Sequence, residues 1–288
     1  MDNTDALTEQ PIAANEAEAL LPLSAEAGWN QTANDWRFML ANGRAFGVRG
    51  VASARWIGSA LELPLGDALS WVSMVLVARD CRRRGIGTRL LRHSIDAARA
   101  RGAAAGLDAT ELGRPVYLPL GFRDLYAISR WHLDGSRVEP APSSLILRPL
   151  MPADVPAVIA FDTPRSGMAR DPALRYLAGH APQQAFIAER AGRMAGYALG
   201  RPGRVAPQIG PVVAEDEAAA LALVAHALAA VVGHAMIDVP DAHRELSGWL
   251  KAQGAVRQRG FVRMVLGEPA TALDNPRNIF ALAGPELG

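Results

Sequence analysis

Short hydrophobic runs alternate along the chain with stretches whose apolar residues recur at helical spacing. Trp71–Val77 is rich in Val, Trp and Leu and predicts a buried strand. Leu90, Leu91, Ile95 and Ala98 follow at helical spacing and predict an amphipathic helix. Ala104–Ala109 predicts another strand, with a turn at Gly113 and Pro115. Leu7–Ile12 reads as a first strand and Ala13–Leu21 as a first helix. In the second half, Ser144–Pro149 opens a strand and Pro152-Ala153-Asp154 starts a helix. Ala218 to Ile237 is apolar and long enough to consider as a membrane span. It is mostly alanine, however, which gives little drive for insertion, and it contains His226, Gly233 and His234. Glu215-Asp216-Glu217 precedes it, as suits the N-terminus of a soluble helix. The pattern predicts a buried helix to about Val232, a stop at Gly233, and a strand over Ala235–Val239.

These elements repeat. A hydrophobic strand ends at Val77-Ala78 and again at Val213-Ala214. The following helix ends at Arg101-Gly102 and at Val232-Gly233, and the next strand leads to Asp108 and to Asp238. The interval is shorter in the second copy by about the length of the Arg79–Arg84 loop. Polar residues 134–144, with Pro and Gly, read as a linker between the copies.

Composition sets limits. The 288 residues, half of them hydrophobic, are enough for one large core or two ordinary ones. A net charge of +1 signals neither general nucleic-acid binding nor attraction to an anionic membrane. The single cysteine, Cys81, excludes an internal disulfide and fits a reducing cytoplasm. The acidic start of the chain has no basic region before an apolar core, so it does not read as a secretory signal. The six histidines show no metal-ligand spacing, and no metal is expected.

Between the Trp71–Val77 strand and its helix lie Arg82, Arg83, Arg84, Gly85, Ile86 and Gly87. A strand–glycine loop–helix unit aims free backbone N–H groups and a positive dipole end at one point. Three arginines favour an anion there, and the glycines let a phosphate approach the backbone. The loop lacks the Lys-Ser/Thr ending of a Walker A loop and the three-glycine dinucleotide fingerprint. The second copy carries Glu215 to Glu217 where the first has arginines and glycines, and carboxylates would repel a diphosphate.

Arg82-x-x-Gly85-x-Gly87 after a hydrophobic strand resembles motif A of the GCN5-related N-acetyltransferases (GNAT). Tyr117, four residues before Gly121-Phe122, resembles that family's motif B. The resemblance implies that amides from Arg82 to Thr88, including Arg83, Arg84, Gly85, Ile86 and Gly87, hold the pyrophosphate of acetyl-CoA. It implies that the backbone of Val75, Leu76 and Val77 pairs with pantetheine and polarises the thioester carbonyl. Tyr117 becomes the general acid for the departing thiolate, a role that suits a phenol neutral at pH 7. The other reading of Tyr117 is a core ring with a surface hydroxyl. In the second copy Gly254 matches Gly121, but Leu250 stands where the tyrosine would be.

The family places its acceptor pocket near Trp29, Asn30, Gln31, Asp35 and Trp36. The alternative is a helix start capped by Asn30 or Thr32, with Trp36, Met39 and Leu40 in the core. The base is open. Glu62, Asp67 and a water chain are candidates, with Ser70 and Ser73 where the family's glutamate often stands. Cys81 beside arginines could be an activated nucleophile, but direct transfer in the family favours a packing role.

The expected fold is α/β, with two tandem GNAT-like domains, each a mixed, mostly antiparallel sheet flanked by helices. Residues 1–138 would be catalytic, and 144–288 degenerate and without the pyrophosphate loop. The expected activity moves an acetyl group from acetyl-CoA to a primary amine, by direct transfer in a ternary complex. A small-molecule amine is the expected acceptor, and the protein a monomer or homodimer. A non-catalytic acyl-CoA sensor and a phosphate-binding enzyme such as a nucleotidyl transferase stay open as alternatives.

Overall fold

The computed structural model describes residues 7–50, 53–138, 143–268 and 276–288. The first half runs β1 (Leu7–Pro11), α1 (Ala17–Glu26), α2 (Ala33–Asn42), β2 (Arg44–Gly50), β3 (Trp56–Pro64), β4 (Leu69–Val77), α3 (Ile86–Ala100), β5 (Ala104–Thr110), α4 (Arg114–Tyr117) and β6 (Arg123–Asp134). The second runs β7 (Ile146–Pro149), α5 (Val155–Ser166), α6 (Asp171–His180), β8 (Phe186–Arg190), β9 (Arg193–Arg201), β10 (Gln208–Ala214), α7 (Glu217–Ala229), β11 (His234–Pro240), α8 (Arg244–Ala252), β12 (Val256–Leu266) and β13 (Ile279–Ala281).

All the strands join one mixed sheet, in the order β1-β2-β3-β4-β5-β12-β6-β11-β10-β9-β8-β7, with β13 added against β10. Only β4 with β5 and β10 with β11 run parallel. The halves exchange strands. β12 lies between β5 and β6, with Val262 opposite Ala109, while β6 pairs with β11, with Trp131 opposite Ile237. Each half therefore completes the other's sheet, and the expected division at 138/144 separates chain segments rather than sheets. The residues at the centre of that linker, 139–142, lie outside the described residues.

The exchange is fastened by two matching buried ion pairs. Arg263 of β12 holds Asp108 of β5 at 2.8 and 2.9 Å. Arg130 of β6 holds Asp238 of β11 at 2.7 and 2.6 Å. The two aspartates are the equivalent positions of the sequence repeat, so the repeat describes a pseudo-twofold arrangement.

One core cluster crosses the halves, joining Trp36, Met39, Leu61 and Trp71 to Leu174, Leu177 and Tyr197. α3 packs on β2 to β5, and α7 on β8 to β10. Five of the seven alanines of α7 are buried, since small side chains let the helix lie close to the sheet. α7 ends at Ala229, before the expected Val232. Val231 N–H turns back to Leu228 O, and Gly233 reverses the chain at φ +82. Two other expectations shift. A 3-10 turn at Ala14–Glu16 precedes α1, which runs on to Glu26. The turn expected at Gly113 and Pro115 is the short helix α4, because proline fits a first helical turn, where no N–H is needed. Among the described residues no helix is long and apolar enough to cross a membrane.

Candidate active site

β4 and β5 pair only over Leu69–Trp71 with Ala104–Gly106. Beyond that they part. Met74 adopts φ +52, and the β3–β4 register shifts there, so β4 bulges. Ser59 donates its hydroxyl to Met74 O at 2.8 Å and holds the bulge. Leu76 and Val77 stay paired to β3, which leaves the β5-facing backbone edge of Val75–Val77 without a strand partner.

The glycine loop follows. Arg83 (φ +62) and Gly85 (φ +74) take left-handed conformations that turn the chain into α3. Arg89 N–H returns to Gly85 O at 3.1 Å, while those of Ile86, Gly87 and Thr88 have no earlier helical carbonyl. A Cβ at Gly85 would meet nothing within 4 Å, and one at Gly87 would approach only Val77 Cγ2, at 3.4 Å. Free donors, a positive helix end and bare backbone fit a diphosphate. Arg82 donates Nε–H to Val77 O at 3.0 Å, fastening the loop to β4. Arg83 lines the cavity, and Arg84 does not. Cys81 is buried, and desolvation, then Asp80, pushes its thiol up. A raised thiol is a poor nucleophile, which agrees with a packing role.

Tyr117 faces this cleft from the end of α4. Its ring lies across Gly113, where a Cβ would stand 3.0 Å from Cε2 and 3.3 Å from the hydroxyl. It packs near Phe122 at 5.9 Å between centroids. Burial pushes its phenol up to about 12, so it is a protonated donor across the neutral range. Loop, bulge and phenol open on one cavity of about 860 Å³.

Family models of the GNAT acetyltransferases match residues 15–122 and 158–281. The chain belongs to the GNAT family. It is 24% identical over 255 residues to the uncharacterized N-acetyltransferase YitH of Bacillus subtilis, covering 88% of this chain and 89% of that one. A structure assigned as an acetyltransferase from Pyrococcus horikoshii superposes with a TM-score of 0.77 at 16% identity, over 100% of this chain and 99% of that one. A tandem GNAT protein from the clavulanic acid biosynthesis pathway gives 0.61 at 19% identity, over 90% and 98%. The protein is thus a tandem GNAT N-acetyltransferase.

Its second GNAT unit is filled at the corresponding place. Asp216 accepts from Ala219 N–H at 2.9 Å, so a carboxylate caps α7 where α3 leaves donors open. β13 pairs with β10, and Leu282 N–H donates to Asp238 O of β11 at 2.9 Å. A segment of the chain itself thereby occupies the gap that stays open between β4 and β5. Leu250, in the tyrosine's place, is fully buried.

The acceptor-side expectations divide. Trp29 and Gln31 line the cavity. Asn30 also borders it, but its side chain is committed. Its carbonyl accepts from Val205 and Ala206 N–H at 2.8 and 3.2 Å, and its amide donates to Ala206 O at 2.9 Å. Asn30 is a strap between the units. Trp36 does not reach the cavity; it is fully buried, and its indole donates to Ser24 Oγ at 3.2 Å. Thr32 caps α2, with Asp35 returning to Thr32 N–H at 2.7 Å. Glu62 is buried beside Arg101 at 3.4 Å, and Asp67 is exposed; neither lines the cavity.

The charged groups on that wall missed by the sequence reading come from the second unit or its partner strand: Arg130 of β6, Arg257 and Arg259 of β12, and Glu286. Glu286 is 2% exposed. The Trp71 indole donates to Pro285 O at 2.9 Å and Arg170 to Gly288 O at 3.1 Å, which seats the segment. One Glu286 oxygen pairs with Arg201, which also holds Asp35 at 2.9 Å, and Oε2 has no partner. Burial pushes the Glu286 carboxyl up against the pull of Arg201, with Asp35 adding to the rise. Among the described residues no His, Cys, Asp and Glu cluster could hold a metal.

Proposed function

We propose that the protein acetylates a primary amine of a small molecule, using acetyl-CoA as co-substrate in a direct transfer within a ternary complex. One observation carries this reading: unpaired donors at the α3 N-terminus, a parted β4 edge and a protonated Tyr117 share a single cavity. The amides of Ile86, Gly87 and Thr88 would hold the diphosphate, with Arg83 adding positive charge. The parted edge of Val75–Val77, whose Val77 carbonyl already accepts from Arg82, would pair with pantetheine and orient the thioester. A backbone N–H aimed at the carbonyl oxygen stabilises the charge that develops on attack, a contribution of about 3 kcal/mol for one such donor. Tyr117 then gives its proton to the leaving sulfur.

The surroundings of Cys81 support direct transfer. Cys81, the only thiol, is buried with its proton retained and offers no covalent relay. The test is a screen of amines with acetyl-CoA, reading thiol release, on wild type and Tyr117→Phe. Turnover that falls by about a hundredfold or more in the variant, with acetyl-CoA binding intact, supports the acid role. Binding without turnover of any amine would favour an acyl-CoA sensor instead.

A further inference from the structure

Three buried polar atoms on residues lining the cavity lack a hydrogen-bond partner: Gln31 Oε1, Ser73 Oγ and Glu286 Oε2. Buried polar groups are normally paired, so these three atoms at the cavity wall are open to a partner that the chain itself does not supply. All three accept hydrogen bonds, and an ammonium group offers three N–H donors. The same cavity holds a cation with no carboxylate of its own. Arg259 is partly buried, Asp238 beside it is taken by both ends of Arg130, and no ion pair joins Arg259 to a described residue. Burial, then Arg130, pushes its guanidinium down against the pull of Asp238.

The charges give the same answer. Arg130, Arg257 and Arg259 line this wall with Asp108 and Glu286, and Arg201, Arg263, Asp35 and Asp238 stand behind them as ion-pair partners. With every group ionised, these five guanidiniums exceed the four carboxylates by one. A plain ammonium would bring net positive charge next to three guanidiniums. A molecule carrying both an ammonium and an acid adds no net positive charge and meets a counter-charge at each end.

We propose that the acceptor is a primary amine that also bears an acid group, its ammonium held by Gln31, Ser73 and Glu286 and its acid by Arg259. Glu286 is then the base that sequence alone leaves open. This rests on the acetyltransferase reading. Glu286 Oε2 takes one proton from the ammonium and passes it to solvent. The freed nitrogen lone pair forms the C–N bond at the thioester carbonyl, and the C–S bond breaks. Tyr117 protonates the sulfur and is restored by the second proton leaving nitrogen. The products are the amide and the free thiol of CoA, with one proton released.

The experiment compares amines in pairs that share a skeleton: β-alanine with ethylamine, 4-aminobutyrate with propylamine, and phosphoethanolamine with ethanolamine. Purified full-length protein and acetyl-CoA are used, reading thiol release. At least one acid-bearing member is expected to exceed its twin in kcat/KM by about tenfold or more. Arg259→Gln is expected to abolish that preference through the KM of the acceptor, with the KM of acetyl-CoA unchanged. Glu286→Gln, close to isosteric, is expected to lower kcat by about a hundredfold. Both variants are checked for a wild-type melting profile, and Arg259→Lys is expected to restore part of the preference. Turnover of the acid-free twins alone, an unchanged preference in Arg259→Gln, or a raised KM for acetyl-CoA there would overturn the proposal while leaving the acetyltransferase reading intact. Acetyl-CoA hydrolysis or inertness with every amine would overturn both.

Discussion

Replacing Asp238 with Ala should destabilise the whole protein, because it removes one of the two clasps of the strand exchange. The pair with Arg130 has two bonds, at 2.7 and 2.6 Å, and the side chains are 7% and 0% exposed. Removing one partner of such a pair leaves a buried charge unpaired and costs about 3–5 kcal/mol. Gln208 Nε2, which donates to the same carboxylate at 3.0 Å, loses its acceptor for about 1 kcal/mol more. At about 2.1 cal/mol/K per residue, a 288-residue chain unfolds with an entropy of about 0.6 kcal/mol/K, so Tm should fall by about 7–10 °C. Scanning calorimetry measures the shift. Since β6 and β12 each complete the other half's sheet, one transition should move as a unit. Salt at about 0.5 M should change the shift little, as the pair is buried. The double variant Arg130→Met with Asp238→Leu should recover most of the loss, since the uncompensated charge is gone. A loss under about 1 kcal/mol for Asp238→Ala, a double variant as unstable as the single one, or two separate transitions would refute the reasoning.

Residues 1–138 expressed alone should aggregate, because β5 and β6 each lose their β12 partner and expose unpaired edges; a soluble monomer with full activity would count against the exchange. Arg83→Glu should weaken acetyl-CoA binding in calorimetry, by about tenfold if the loop holds the diphosphate, and unchanged affinity would move that site elsewhere. The pH profile of kcat should be set by Glu286 on its acid side. Arg201, Asp35 and Arg130 surround that carboxyl, burial raises it, and activity should be lost as pH falls through a midpoint above the ordinary carboxylate range. Glu286→Gln should flatten that limb. Tyr117, held at about 12, should keep the alkaline limb level up to about pH 10.

Much of the first unit's chemistry could be read from the chain because it is local. Strand, loop and helix from Leu69 to Ala100 follow directly from an apolar run, two glycines and helical spacing. The repeat was legible too, through Asp108 and Asp238, although their function as matching clasps was not. An alternating strand such as β6 or β12 has the same pattern whichever neighbour it pairs with, so the exchange leaves no periodic trace. Trp36 shows a related limit. An aromatic at a helix start reads equally as pocket or core, and its indole bond to Ser24 decides for the core. Glu286 lies far along the chain from Tyr117 and belongs to no motif; only the path of the 276–288 segment brings it to the cavity.

That path constrains what can be engineered from this scaffold. β13 fills the slot of the second unit, and five residues later the same segment presents Glu286 to the first. Grafting a glycine loop ahead of α7 to obtain two turnovers per chain would set the new ligand in competition with β13. Winning that competition would pull Glu286 away from the working cavity. The molecule is thus committed to one reaction centre, with the other slot serving as the mooring for its carboxylate.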